Sequence, residues 1–300
     1  MNSKKGSVLI LTLWTLSFLT VFSIGLANNI SAQLRVASHL QDRLKMYYLA
    51  AAGIERGIVE ITGNDETPSY DTLNETWSNN EESFNELPLG DGYITLSYQL
   101  NKEVPESQSV QESGEITLYG LMDESSKINI NEVPAGVLKT LLGNIGEVEK
   151  EEASDIANSI IDWRDLDVVV SSGGAEDFYY QSLESPYPCK NGKFQVLEEL
   201  LLVKGMTPEL FLKIKDVITI YGDSRVNINT ADRLTLRALG LSSELAKRIV
   251  EFRQGSGGEG EAEEDKNFFK TVAELNNIGA LFTEESQELS RVISLNILTV

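Results

Sequence analysis

The residues best equipped for chemistry lie between 162 and 178, in the run DWRDLDVVVSSGGAEDF. Asp162, Asp165, Asp167, Glu176 and Asp177 bring five carboxylates into one short stretch. Hard oxygen ligands gathered on a loop suit Ca2+, which takes about six to eight of them. Gly173 and Gly174 would let backbone carbonyls fold close enough to join. The spacing is not that of an EF-hand. The competing reading is an exposed acidic loop that closes a helix. Other chemistry lacks its parts. His39 is the single histidine and lies in a helical stretch, so a histidine-based triad cannot be assembled from it. Cys189 is the single cysteine, which excludes an internal disulfide and leaves zinc without a ligand set. No Gly-rich loop follows a strand to cradle a phosphate. Acidic residues are too plentiful to single out a hydrolytic pair.

The frame that must position this loop has 300 residues, 41% of them hydrophobic, and a net charge of −21. That is enough apolar material for one large or two medium folded units. The acidic balance is opposite to the cationic footprint of a nucleic-acid binder.

The N-terminus sets the class. Residues 6 to 34 carry no charge, and Val8 to Ala27 is nearly all apolar. Twenty helical residues span about 30 Å, the thickness of a bilayer core. Lys4 and Lys5 precede the run and leave the start on the cytoplasmic side. Three readings fit: a secretory signal peptide, a plain membrane anchor, or a short leader (1–6) cut between Gly6 and Ser7. The apolar pattern continues past the membrane, at Ile30, Leu34, Ala37, Leu44, Tyr48, Ala51, Ile54, Ile58 and Ile61. These recur at helical intervals and predict one helix over 7–62 whose outer half packs under a globular head.

In the head, alternation over residues 93–100 predicts a strand, followed by a polar loop over 101–113 and further strand at 115–122 and 127–130. The β-rich residues 292–300 are expected to complete a small antiparallel sheet with 63–130. Between these ends the chain reads as helical and repeats itself. KININ at Lys127 matches RVNIN at Arg225, ASDIANSIIDWRD matches SSELAKRIVEFRQ, and FQVLEELLLVKGM at Phe194 matches FKTVAELNNIGAL at Phe269. The order is kept at offsets of 98, 89 and 75 residues, so two copies of a helical unit are expected, 131–224 and 225–291. Asn131 and Thr230 are the expected helix openers, with Pro134 in a first turn. The fold expected is α+β: a long helix, a small sheet and a large inserted helical domain. The acid- and glycine-rich stretch 255–265 reads as a solvated loop.

KKGSVLILTLWTLSFLTVFSIGLA resembles the leader and first helix of type IV pilin-like proteins. Most of these have Glu at the fifth residue after the cut, where this sequence has Leu11. That departure, with Asp-Trp-x-Asp-x-Asp … Gly-Ala-Glu-Asp-x-Tyr-Tyr in the acidic loop, resembles the K-type minor pseudopilins of type II secretion (general secretion pathway protein K). The resemblance implies a pilin-like helix and sheet and no enzymatic activity. It implies calcium in the head, with Asp167, Glu176 and Asp177 as first ligands and Asp165 and Asp162 as next. It implies an inner-membrane protein with a periplasmic head, processed by prepilin peptidase. The implied partners are the other minor pseudopilins of the tip complex and the major pseudopilin, with no nucleic acid. Leu11 is the expected positional determinant: without a carboxylate there, a subunit standing on this one would leave its N-terminal ammonium unpaired, which predicts a place at the pseudopilus tip, the competing reading being that Leu11 only fills an apolar anchor.

The helical units also resemble helix-hairpin-helix (SAM-like) modules of DNA-binding proteins, which gives the rival expectation of a membrane-anchored DNA receptor. The corresponding turn, Leu239-Gly240-Leu241-Ser242, has Ser at the second glycine, and Glu147, Glu149, Glu151 and Glu152 follow the first copy's turn. Arg233, Arg237, Lys247, Arg248 and Arg253 form the cationic cluster such a receptor would use.

Overall fold

A computed structural model describes residues 3–63, 71–101, 115–254, 267–278, 283–295 and 297–299. The loops expected at 101–113 and 255–265 fall almost wholly outside them. Helix α1 runs from Ser3 to Gly63. At the standard rise its 61 residues measure about 90 Å. Its apolar N-terminal part is long enough to cross a membrane. Among the described residues the head meets its C-terminal part, through the Lys45–Asp91 ion pair at 3.0 Å and through Leu49, Gly53, Gly57 and Glu60. Gly57 lets Leu121 come so close that a Cβ would stand 3.2 Å from it. Arg56 donates to Glu60 at 2.8 Å and to the Ser83 carbonyl, tying the helix to the head. The stripe read from the sequence is therefore not the head-facing one. Ile54, Ile58 and Ile61 remain about half exposed or more, on a face the described residues of the head do not cover.

Above α1 sit two short antiparallel ladders, in place of one continuous sheet. Strands β1 (Leu87–Leu89) and β2 (Gly92–Ile94) form a hairpin. Strands β3 (Tyr98–Asn101) and β4 (Glu115–Leu118) form the second pair. Leu96 bridges them, donating to Phe84 O and accepting from Gly120 N. Short helix α2 (Glu81–Phe84) is capped by the Asn80 side chain.

The remainder is the duplicated unit. In the first copy, β5 (Ile128–Asn129) precedes α3 (Ala135–Asn144), α4 (Lys150–Arg164), α5 (Asp177–Gln181), α6 (Pro208–Ile214) and β6 (Ile218–Thr219). In the second, β7 (Val226–Asn227) precedes α7 (Arg233–Ala238), α8 (Ser243–Gln254), α9 (Thr283–Ser294) and β8 (Leu298–Thr299). The first strand of each copy pairs in parallel with the last strand of the same copy, Ile128 with Ile218 and Val226 with Leu298. This corrects the expected role of 292–300. Residues 292–294 finish α9, and β8 closes the second helical copy instead of the sheet near 63–130.

The same polar latch holds both copies. Asn131 accepts from Phe194 N at 2.8 Å and donates to Phe194 O at 3.0 Å. Asn229 does the same with Phe269, at 2.8 and 2.9 Å. Arg164 donates to the carbonyls of Ile130 and Val133. Arg253 donates to those of Ile228 and Ala231, at 2.8 and 2.7 Å. Burial lowers the Arg253 pKa to about 10, so the guanidinium keeps its charge at neutral pH. The two expected helix openers have other partners. Asn131 serves the latch, and the Thr230 hydroxyl lies 2.6 Å from Asp123. Pro134 and Asp232 stand at the N-caps instead, Asp232 accepting from Thr235 N. One continuous apolar core, from Ile128 to Leu298, runs through both copies.

Candidate metal centre

The end of α4 and the start of α5 position the acidic loop. Asp162 lies in the last turn of α4, fully buried, and its carboxylate accepts the Ser171 N–H at 3.1 Å. That bond folds 165–171 back over the helix end. A Cβ on Gly174 would overlap the Asp162 carboxylate, and one on Gly173, at φ +77, would overlap that of Asp155. Two glycines are thus required where the loop crosses α4. Lys204 Nζ donates to both of their carbonyls, at 3.0 and 3.2 Å, which takes one lone pair of each.

The loop brings together Asp165, Asp167 and Glu176, one oxygen of each lying within 4.8 Å of the others. Asp165 Oδ1 and both oxygens of Glu176 are buried with no hydrogen-bond partner of proper geometry. Burial, and then the charges of Asp167 and Asp162, raise the Asp165 pKa above the ordinary range. Burial foremost, with Asp162, Asp165 and Asp167 adding to it, raises that of Glu176, while the nearby Cys189 thiol lowers it. The other two sequence candidates sit apart from the cluster. Asp177 begins α5, and its Oδ1 accepts the Cys189 N–H at 2.7 Å. Asp162 holds the loop from below and acts on the cluster through its charge.

The sequence reading missed the strap at 189–191. Asn191, in a left-handed conformation at φ 46, donates to the Asp167 carbonyl at 3.0 Å, and its Oδ1 is buried without a partner. An Asn-Gly pair is the only local sign of it, and nothing in the spacing ties it to Asp167. Burial pushes the Cys189 thiol up to about 11. Around the strap, Trp163 packs edge-on to Tyr180 at 5.0 Å and to Tyr187 at 6.2 Å. Buried oxygens with no donor, beside mutually repelling carboxylates, lack positive charge. Three carboxylates of this kind fit a hard divalent cation whose remaining positions water could fill.

The geometry is unlike a phosphate-binding hairpin. The Ser242 N–H, in the turn where phosphate would sit, is held at 2.9 Å by Glu288. Four of the five cations of the cluster have partners within the chain. Arg253 is buried on carbonyls, Arg248 pairs with Glu285 at 3.0 Å, Arg233 donates to Ser243, and Lys247 lies 3.6 Å from Glu251.

Residues 114–223 match the family model described as type II secretion system (T2SS), protein K. Type II secretion system protein K of Aeromonas hydrophila is 26% identical over 85% of this chain and 77% of its own. That of Klebsiella pneumoniae is 25% identical over 84% and 74%. A chain of the GspK-GspI-GspJ complex from enterotoxigenic Escherichia coli superposes with a TM-score of 0.60, at 18% identity, over 89% of this chain and 85% of its own. The family model, whose span includes the acidic loop, and the two relatives bear out the resemblance to the K-type proteins, and the solved chain bears out the fold.

Proposed function

For a chain so related to type II secretion system protein K, we propose the role of a minor pseudopilin that stands at the tip of the pseudopilus. It starts assembly there with other minor pseudopilins, for protein export across the outer membrane. The observation that carries this reading is the exposed apolar stripe of α1. From Ile30 to Ile61 it continues beyond a bilayer's thickness, on a face the described residues of its own head leave uncovered. A soluble enzyme with a plain anchor has no use for it, whereas a helix packed against neighbouring helices needs it. The solved relative stands in a complex with GspI and GspJ, and companions of that kind are the partners of this chain. The major pseudopilin follows below them.

Lys4 and Lys5 keep the start cytoplasmic and the head periplasmic. Prepilin peptidase cuts between Gly6 and Ser7. Leu11 supplies no carboxylate for a subunit above, and the wide duplicated head is more easily placed at an end than within a shaft. The head acts as an interaction module, without catalysis. Calcium held by Asp165, Asp167 and Glu176 neutralises the loop. Immunogold labelling of assembled pseudopili with antibody to the head tests the placement. Label at one end supports it, and label along the shaft at the major subunit's abundance overturns it.

A further inference from the structure

The acidic loop carries a second, unused surface. Leu166, Val168, Val169 and Val170 are 87, 70, 70 and 55% exposed, and Phe178 is 89% exposed. Both segments that carry them are tied to one strap. Leu166 and Val168 flank Asp167, whose carbonyl is held by Asn191, and Phe178 follows Asp177, whose carboxylate is held by the Cys189 N–H. One strap, 189–191, therefore pins both groups side by side. Five large apolar side chains held in the open by a tied loop are costly to leave in water, and patches of this kind mark contact surfaces.

The charge around the patch selects the occupant. Between 151 and 184 the only cation is Arg164, and its guanidinium is turned inward onto the carbonyls of Ile130 and Val133. Lys204, which reaches over the loop, is bound to the carbonyls of Gly173 and Gly174. Asp177 and Glu184, which stand outside the three-carboxylate cluster, are exposed carboxylates in the same stretch. An apolar surface set among carboxylates, with no cation of its own segment free, complements apolar side chains interleaved with cations. A second copy of this chain, also at −21, would be repelled, as would an anionic membrane.

We infer that the loop Leu166–Val170 together with Phe178 is a docking surface for a polypeptide segment of another protein in which apolar and basic side chains alternate. This surface needs neither the bound ion nor the pseudopilus placement. The probe is a fluorescent synthetic peptide of alternating Leu and Lys, titrated by anisotropy against the full chain in nanodiscs of neutral lipid. Its counterpart of alternating Leu and Glu is run in parallel. Saturable binding of the Leu/Lys peptide is expected. It should weaken about tenfold or more in the double variant Val169→Ser, Phe178→Ser, and stay unchanged in Leu212→Ser, an exposed apolar residue away from the loop. Both substituted positions are exposed, so an unchanged melting temperature certifies the fold. Equal affinity for both peptides, or undiminished binding by the folded double variant, overturns the inference. So does self-association of the chain, or binding to phosphatidylglycerol vesicles, that the double variant abolishes while its peptide binding persists.

Discussion

Replacing Glu176 with Gln should produce two effects of opposite sign. Three carboxylate oxygens lie within 4.8 Å of one another. At an effective dielectric of about 20, one like-charged pair at such a distance costs about 3.5 kcal/mol. The raised pKa values of Glu176 and Asp165 act in the same direction, since protonation relieves part of that repulsion. The amide can also donate to Asp165 Oδ1, which has no partner. Without calcium the variant should therefore gain about 1–2 kcal/mol. With calcium at a hundredfold over its Kd, the wild type gains about 2.7 kcal/mol by mass action. That is roughly 5–11 °C in Tm for a domain of this size, and the variant should lose most of it. Differential scanning calorimetry of the full chain in detergent, with calcium and with EGTA, reads both effects. A variant that melts below the wild type in EGTA, or keeps the wild-type calcium shift, would refute the assignment of Glu176.

The raised pKa values of Asp165 and Glu176 mean that the calcium-free folded chain binds protons the unfolded chain releases. Stability should then fall as pH rises above the ordinary carboxylate range in EGTA, and less so with calcium; parallel urea midpoints would sink this account. Arg253→Met leaves two buried carbonyls unpaired and should cost about 2–4 kcal/mol in urea denaturation, with Arg164→Met similar because its partners are equivalent. N-terminal sequencing of the membrane-extracted protein should begin at Ser7, whereas a start near Asn28 would identify a secretory signal and end the pilin-like reading.

How far the sequence could be read depended on whether the physics was local. Helix α1 was legible because its apolar content and its periodicity are both written in consecutive residues. The duplication was legible because the latch uses the same residue types at Asn131 and Asn229, Arg164 and Arg253, Phe194 and Phe269. The stripe on α1 was visible, but not which face the head takes, since the head approaches at glycines that carry no hydrophobic signal. The last residues were recognisably β-forming, yet composition does not name a strand's partner, and β8 pairs with Val226–Asn227. At the metal centre Asp165, Asp167 and Glu176 could be nominated from their types. Asp177 could not be told apart from them until the Cys189 N–H was seen to claim it. Asn191 was out of reach, because only the folded strap brings it to Asp167.

The parallel closure of each copy has a mechanical consequence. In the first copy the chain enters along β5 and leaves along β6 in the same direction, and Ile130 N bonded to Thr219 O at 2.9 Å extends that ladder. A pull between α1 and the second copy would draw the two neighbouring strands past each other lengthwise. Their hydrogen bonds would be loaded together, in shear, instead of opening one after another like a zipper. The first copy is thus wired to resist a pull at the point where the chain passes through.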